Sequence, residues 1–153
     1  MQPFVSTIVN KLDAKGRVSV PASFRQILTQ QNTNGVYVLP SFASSALEGF
    51  GETLIAEFQD RLNTLDPFLS EDYDAQAQAV LAASQLLNLD DEGRVRLPDA
   101  LIAHAQLREF VSFVGMGRKF QIWDPDILAP IASERIARAR AMRAENNGKG
   151  GGA

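Results

Sequence analysis

The residues best suited to chemistry in this chain stand in one short stretch, DAKGR, at residues 13–17. An aspartate and an arginine four positions apart flank a glycine that permits a tight turn between them. On such a turn the planar guanidinium of Arg17 can bind a phosphate group, or both acceptors on the major-groove edge of guanine. Asp13 can orient that guanidinium through a charge-assisted hydrogen bond. The stretch therefore predicts either a DNA contact or an ion pair that only closes the turn.

The charge along the chain is distributed unevenly. Residues 1–35 carry four cations and one acid, whereas residues 36–100 carry twelve acids and three cations. The overall net charge of −3 therefore does not exclude nucleic acid, because binding depends on where the positive charge lies. Three cations close to Arg17 in the sequence are expected to add nonspecific attraction to phosphate: Lys11, Lys15 and Arg25.

The motif occurs a second time, 77 residues later, as DDEGR at 90–94. Over the nine positions 13–21 and 90–98, Asp, Gly, Arg, Val and Pro stand at the same places in both copies. An internal repeat of this kind predicts two structural units of similar design. Since the chain has 153 residues in all, neither unit can build a large core alone, and we expect the two to interlock.

The second copy differs from the first in its charges. Asp91 and Glu92 replace an alanine and a lysine, and Arg96 replaces a serine on the strand that follows. The two acids would repel a phosphate backbone, so if the motif contacts DNA, we expect the first copy to provide most of the binding. Arg94 and Arg96 are predicted to contact DNA more weakly, with Arg94 paired mainly to Asp90.

Each copy of the motif is followed by the same series of predicted elements. The alternation in RVSVP at 17–21 indicates a half-buried strand, and PASFRQIL at 21–28 places its apolar residues on one helical face. A further strand, GVYVLP, follows at 35–40. The second copy repeats this order with RVRLP, PDALIAHAQL and FVSFVG. Each unit is therefore predicted to contain strand, turn, strand, short helix and strand.

The segments between and after the units are predicted to be helical. Apolar residues recur at helical spacing over 46–62 and 72–87, and Asp66-Pro67 separates the two runs. The C-terminal segment is rich in arginine, and we interpret its arginines as a solvated helix face. The predicted organisation is unit 1 at 4–52, a helical connection at 53–82, unit 2 at 83–126, a C-terminal helix at 127–145 and a disordered tail at 146–153.

Several functional classes lack their characteristic residues in this chain. Cysteine is absent and His104 is the single histidine, so no metal site and no thiol nucleophile is predicted. The acids at 71–74 and 90–92 have no apolar surroundings that would shift a pKa. No apolar run approaches the roughly 18 residues that span a bilayer, and no signal peptide is recognisable. We therefore predict a protein that is not an enzyme, binds no cofactor and does not enter a membrane.

The doubled motif Asp-x-x-Gly-Arg-hydrophobic-x-hydrophobic-Pro resembles that of the MraZ family of bacterial transcriptional regulators. The segment GMGRKFQIWDPD at 115–126 is similar to the Gly-x-x-x-Lys-Phe-x-x-Trp segment that follows the second unit in that family. The resemblance extends from about Phe4 to about Arg143.

This resemblance implies a fold and an activity. The implied fold is α+β with a mainly β core: a double-split, or swapped-hairpin, β-barrel formed by two internal repeats of the SpoVT-AbrB type, with flanking helices. The implied protein is a ring-shaped homo-oligomer in the cytoplasm, associated with the nucleoid. It would bind tandem repeats in double-stranded DNA upstream of its own gene and repress the operon for division and cell-wall synthesis. The Asp-to-Arg motif is implied to supply the DNA contact.

A different class of function uses the same barrel, namely the antidote of a toxin–antitoxin pair or another protein-interaction module. Such antidotes usually have one unit and a disordered acidic tail, whereas this chain has two copies of the motif and a glycine-rich end. The DNA-binding regulator is the preferred hypothesis, and an enzyme is the least favoured.

Overall fold

Eight strands and five α-helices are present among residues 2–151, which the computed structural model of the chain describes. The strands are β1 Thr7–Lys11, β2 Arg17–Ser19, β3 Val36–Pro40, β4 Leu47–Phe50, β5 Gln85–Leu87, β6 Arg94–Arg96, β7 Phe110–Gly115 and β8 Phe120–Trp123. The helices are α1 Ala22–Gln30, α2 Glu52–Leu62, α3 Glu71–Gln76, α4 Asp99–Ala105 and α5 Pro125–Gly151, with a π-helical turn at Ala77–Leu81 after α3. The α+β class predicted from the sequence is confirmed.

Six of the strands form one antiparallel sheet in the order β1-β7-β8-β4-β3-β5. Strands β1, β3 and β4 lie in the first half of the chain, around the first copy of the motif. Strands β5, β7 and β8 are their counterparts around the second copy. Exchanging the two sets reverses the strand order and otherwise leaves it unchanged, so the sheet has internal two-fold pseudosymmetry. Each edge strand pairs with a strand of the other set, β1 with β7 and β5 with β3. Among residues 2–151 the sheet is open, since β1 and β5 do not pair with each other.

Strands β2 and β6, which directly follow the two glycine turns, form a separate antiparallel ladder. Val18 lies opposite Val95 at its centre, and both are buried. The ladder is extended at each end because the N–H of Val20 donates to the carbonyl of Gly93 at 3.0 Å and the N–H of Leu97 donates to that of Gly16 at 2.8 Å. Each turn is therefore tied to the strand of the other copy.

The core is built from apolar side chains of both halves of the chain. Four phenylalanine rings meet there, Phe4 and Phe24 from the first half of the chain and Phe113 and Phe120 from the second, at centroid separations of 4.9–6.4 Å. All four are at most 1% exposed. One shared core positions both turns on the same rigid body.

The prediction of a helix over 46–62 is wrong at its start. Leu47–Phe50 is strand β4, paired with β3 and β8, and the helix begins only at Glu52. Leu47 and Phe50 satisfy a helical spacing, but their burial between two neighbouring strands stabilises the extended conformation. Tertiary pairing outweighs local periodicity here, because helix propensity is a weak preference.

The prediction of a helix over 72–87 is likewise wrong at its end. The α-helix ends at Gln76, a π-helical turn follows, and Gln85–Leu87 forms the edge strand β5. Leu87 lies opposite Val36 of β3, so its burial comes from the sheet and not from a helix face.

The C-terminal helix is longer than the predicted 127–145. It begins at Pro125 and continues to Gly151, so residues 146–151, expected to be disordered, are helical in the structure, and the remainder of the expected tail lies outside the described residues. Helix propagation adds one hydrogen bond for each residue fixed, which extends the preceding Ala- and Arg-rich helix into this segment. The first part of the helix packs near Trp123 through Leu128 and Ile131, and Arg135 donates to Gln121 at 3.1 Å and lies over the Trp123 ring.

Candidate nucleic-acid interface

The turn at 13–17 is organised around the carboxylate of Asp13. Its Oδ1 accepts hydrogen bonds from the backbone N–H of Lys15 at 2.9 Å and of Arg17 at 2.8 Å, and its Oδ2 accepts from Arg17 Nε at 2.7 Å. Gly16 has φ of +78°, which favours glycine over any side-chain-bearing residue, and its N–H donates to the Asp13 carbonyl. The guanidinium is thus oriented by a rigid local network.

The turn at 90–94 repeats this network nearly atom for atom. Asp90 Oδ1 accepts from the N–H of Glu92 and of Arg94, both at 2.9 Å, and Oδ2 accepts from Arg94 Nε at 2.8 Å. Gly93 has φ of +76°. The predicted pairing of Arg94 to Asp90 is therefore present, but the matching pairing of Arg17 to Asp13 is equally well formed.

These hydrogen bonds shift the protonation of both aspartates. The backbone N–H of Arg17 is the main cause that lowers the pKa of Asp13 below the ordinary 3.8, and the backbone N–H of Arg94 does the same for Asp90. The side-chain hydrogen bond to Asp90 in turn raises the pKa of Arg94 above its ordinary value. Both carboxylates are therefore ionised at neutral pH and remain fixed partners of the guanidinium groups.

The β2–β6 ladder places three guanidinium groups on one outward face. In its register Arg17 lies opposite Arg96, and Ser19 lies opposite Arg94, while the two central valines point inward. Residues directly opposite in an antiparallel pair share a face, and two like charges there repel each other. Arg96 is exposed and has no hydrogen-bond or ion-pair partner among residues 2–151. An anion beside this face would offset the repulsion that remains after Asp13 pairs with Arg17.

The two copies differ in what remains available on each guanidinium. Arg94 is engaged on a second side, since its Nη1 lies 3.4 Å from a carboxylate oxygen of Glu92. Within the described part of the chain, the Arg17 terminal nitrogens make no such contact, and its side chain is 33% exposed. Arg17 therefore presents its outer edge, with two N–H groups in plane, to solvent.

Arg25 occupies a different position from the one its sequence neighbours suggest. Its Nε donates to the carbonyl of Val20 at 3.1 Å, and its guanidinium packs directly over Gly93 in the second turn. The residue at the corresponding place in the second half, Ile102, packs over Gly16 in the first turn. Arg25 thus brings positive charge to the acidic turn and not to the basic one.

The two predicted lysines are both exposed but differ in their contacts. Lys15 lies at the tip of the first turn, and its ammonium group has no partner within residues 2–151. Lys11, at the end of β1, lies with Nζ 3.9 Å from the carboxylate of Glu109. That exposed pair is weak, so the Lys11 charge remains accessible.

Sequence reasoning missed the direct opposition of Arg17 and Arg96. The alternation of polar and apolar residues in both strands shows that each arginine lies on the outer side, but only the pairing register brings them together. Asn10 was also missed; its side-chain amide donates to the carbonyl of Ser19 at 2.7 Å and fixes the end of the ladder to β1. No sequence signal marks that contact.

Other site types have no basis in the described residues. Over residues 2–151 no group of three or more His, Cys, Asp or Glu side chains is placed to hold a metal ion. No helix within these residues combines the length and the apolar character needed to cross a bilayer.

The chain is similar in sequence to known proteins over most of its length. A family model described as "MraZ protein, putative antitoxin-like" matches residues 80–147. A protein named Transcriptional regulator MraZ from Xanthobacter autotrophicus is 43% identical over 94% of this chain and 90% of its own length. Proteins of the same name from Beijerinckia indica and Pelagibacter ubique are 42% and 43% identical, covering 94% and 80% of this chain and 87% and 78% of their own.

Proposed function

The chain belongs to the MraZ family of transcriptional regulators, and from this premise we propose that it binds promoter DNA directly through the β2–β6 ladder and its two glycine turns. Transcriptional regulation is not an enzymatic activity, and the proposal requires no cofactor. In it, the protein acts as a repressor of the operon for division and cell-wall synthesis. It would do so in the cytoplasm, on the nucleoid, at tandem repeats upstream of its own gene.

The observation that carries this proposal is the cross-strand pair of Arg17 and Arg96. Two opposed guanidinium groups on a two-stranded ladder are unfavourable for folding alone and favourable next to a polyanion. A two-stranded β-ribbon is also narrow enough to enter the major groove, where arginine can hydrogen-bond to guanine.

The residues of this face take different roles in the proposal. Arg17, oriented by Asp13, makes the principal contact to DNA, and Lys15 and Lys11 contribute attraction to phosphate. Arg96, unpaired in the structure, adds a phosphate contact from the second strand, while Arg94 contributes less because Glu92 and Asp90 already engage it. Arg25 acts mainly by offsetting the acids of the second turn.

The proposal includes the internal architecture and the assembly. Strand exchange between the two halves supports a double-split barrel, with units at 4–52 and 83–126 and a connection at 53–82, followed by the C-terminal helix that begins at Pro125. A single face of this size binds weakly, so a ring of copies on tandem DNA repeats would raise the affinity through avidity. Only one rim of such a ring has to be positive, which makes the net charge of −3 compatible with DNA binding.

The test is binding of the protein to a fragment from upstream of its own gene over a range of salt concentrations. We expect Arg17→Ala to weaken binding roughly tenfold or more, and Arg94→Ala to weaken it less. Arg118→Ala is the matched control. The first turn lies near the start of β7, whereas Arg118 comes after the end of that strand and pairs with Glu57.

Three outcomes separate the hypotheses. Equal losses for Arg17→Ala and Arg94→Ala would overturn the difference between the copies. A loss for Arg118→Ala as large as that for Arg17→Ala would remove the β2–β6 ladder as the site. Failure of the wild type to bind upstream DNA would favour the other candidate, an antidote or interaction module; the matching family model carries the description "putative antitoxin-like".

A further inference from the structure

Two large apolar side chains project into solvent at the turn between α2 and α3. Phe68 is 92% exposed and Leu69 is 86% exposed, and we call this pair the apolar knob. The backbone of its turn is held by Asp66, whose Oδ1 accepts hydrogen bonds from the N–H of both residues at 2.8 Å. An exposed apolar pair held in a fixed conformation loses little conformational entropy when it binds a partner. The knob is therefore suited to insertion into an apolar site.

A complementary concave surface lies beside α2. It is a groove of about 340 Å³ with an apolar floor from the exposed side of that helix, and Phe42, 73% exposed, stands at its edge. Within α2, Leu62 is the only buried residue, so the rest of the helix's apolar side is incompletely covered by its own chain. We call this surface the α2 groove; its apolar residues are Leu39, Phe42, Phe50, Leu54, Ile55, Phe58 and Val80.

The charges at the knob and at the groove are opposite. The knob is flanked by Asp66 on one side and by Glu71 and Asp72 on the other. Three charged residues line the groove: Glu48, Arg61 and Lys119. Glu48 and Lys119 pair with each other at 2.8 Å, whereas Arg61 pairs with no acid in residues 2–151, and its guanidinium lies 5.8 Å from the centroid of the Phe58 ring. An uncompensated cation at the groove matches the acids around the knob.

We propose that the apolar knob of one copy docks in the α2 groove of the next copy of the same chain. The knob's exposure shows that it does not fill the groove of its own chain. Knob and groove are different surfaces, so the contact is head-to-tail and repeats from copy to copy until a ring closes. The inference deepens the proposed function, since it rests on the ring assembly proposed there and identifies the surfaces that build it.

Disruption of the knob is the first test. We expect Phe68→Ser with Leu69→Ser to convert the wild-type assembly to monomer in native mass spectrometry and sedimentation velocity, with an unchanged circular dichroism spectrum because both side chains are exposed. Met142→Ser, at a 55% exposed apolar residue on α5, is the matched control and should retain the assembly. A knob variant that retains the wild-type mass would overturn the inference.

A charge exchange tests the pairing of the two surfaces. Arg61→Glu should weaken assembly at least tenfold at low salt, and addition of Glu71→Arg or Asp72→Arg, which leave the Asp66 hydrogen bonds of the knob in place, should restore a substantial part of it. If neither second substitution restores assembly, the assigned charge pairing is wrong.

Covalent capture tests the contact directly, because the chain has no cysteine of its own. A variant with both Leu69→Cys and Phe42→Cys should give, under mild oxidation, a ladder of covalent oligomers longer than dimer. Each single-cysteine variant can give a covalent dimer at most. The variant with Leu69→Cys and Met142→Cys should give no covalent oligomer larger than a dimer. An assembled double variant that forms no ladder beyond dimer would overturn the contact.

The failure of this inference can be told apart from failure of the proposed DNA binding. If the wild type assembles and the knob variant assembles equally well, the proposed interface is wrong, and the proposal of DNA binding is unaffected. A protein that assembles through the knob yet binds no upstream DNA sinks the proposed function alone. If the wild type is monomeric at micromolar concentration, both the proposed ring and its proposed interface are wrong.

Discussion

At the scale of single residues, an aspartate fixes the orientation of the arginine guanidinium in each turn. Asp13 binds the backbone and the Nε of Arg17, so one side of the guanidinium is held and the opposite side faces out. Asp90 and Arg94 repeat the arrangement with donor–acceptor distances that differ by at most 0.1 Å. The side-chain entropy of arginine is thereby lost on folding and not on binding.

The contribution of the second strand is tested at Arg96. Arg96→Ser introduces the residue that the first copy carries at the matching position, Ser19, and removes one exposed cation without altering the backbone. We expect weaker binding of upstream DNA and a slope of log affinity against log salt that is smaller by about one. The measurement is fluorescence anisotropy at several salt concentrations; an unchanged slope would show that Arg96 makes no phosphate contact.

The two turn aspartates should make folding stability depend on acid pH. Their pKa values are lowered in the folded state, so their contribution is fully present above about 3.8, the ordinary value, and is lost as the pH falls through the lower folded values. We expect the difference in unfolding free energy between wild type and Asp13→Asn with Asp90→Asn to shrink below pH 4. Urea titrations at pH 7, 4 and 2.5 measure it, and a difference that grows on acidification contradicts the assignment.

At the scale of elements, the β2–β6 ladder exists because each strand completes the other copy's turn. Neither three-residue strand has another partner among residues 2–151, and a two-stranded ladder is marginal by itself. Its stability comes from the buried Val18 and Val95 beneath it. Functional residues on this ladder are therefore supported by contacts that only the association of both halves provides.

Strand β4 illustrates how closely the elements are packed. A Cβ at Gly49 would lie 2.3 Å from the ring of Phe120, which three other phenylalanines confine. We expect Gly49→Ala to lower the free energy of unfolding by about 1–3 kcal/mol through overpacking. Gly148→Ala, where a Cβ meets no atom within 4 Å, is the control and should leave it unchanged or slightly raised. Urea denaturation measures both, and equal stability would contradict the confined ring.

At the scale of the whole molecule, the two halves share one sheet and one core. Among residues 2–151, β1 pairs only with β7 and β5 only with β3, and the phenylalanine cluster contains two rings from each half. Neither half can satisfy its backbone hydrogen bonds or bury its apolar side chains alone.

Fragments test this interdependence. Residues 1–82 and 83–153, produced separately, should each lack the chemical-shift dispersion of a folded protein, because each loses the strand partners supplied by the other. Mixing them should restore the dispersion of the intact chain in two-dimensional NMR spectra. A folded isolated fragment would show that the halves are independent domains.

The sequence by itself determined the repeat, the two glycine turns, the strand after each turn and the identity of Asp13 and Arg17 as a pair. These features depend on local chemistry, namely positive φ at glycine, alternation along a strand and a carboxylate four residues from a guanidinium. Family membership followed from the same residues and is shown by the relatives.

Only the tertiary structure decided which strands pair and what each cation meets. Leu47–Phe50 and Gln85–Leu87, which the sequence pattern predicts as helix, are strands in the structure, because they pair with other segments of the chain. The tertiary structure placed Arg96 opposite Arg17 and moved Arg25 to the acidic turn. The physical reason is that register and burial depend on contacts between residues far apart in sequence, and periodicity along one segment carries no information about them.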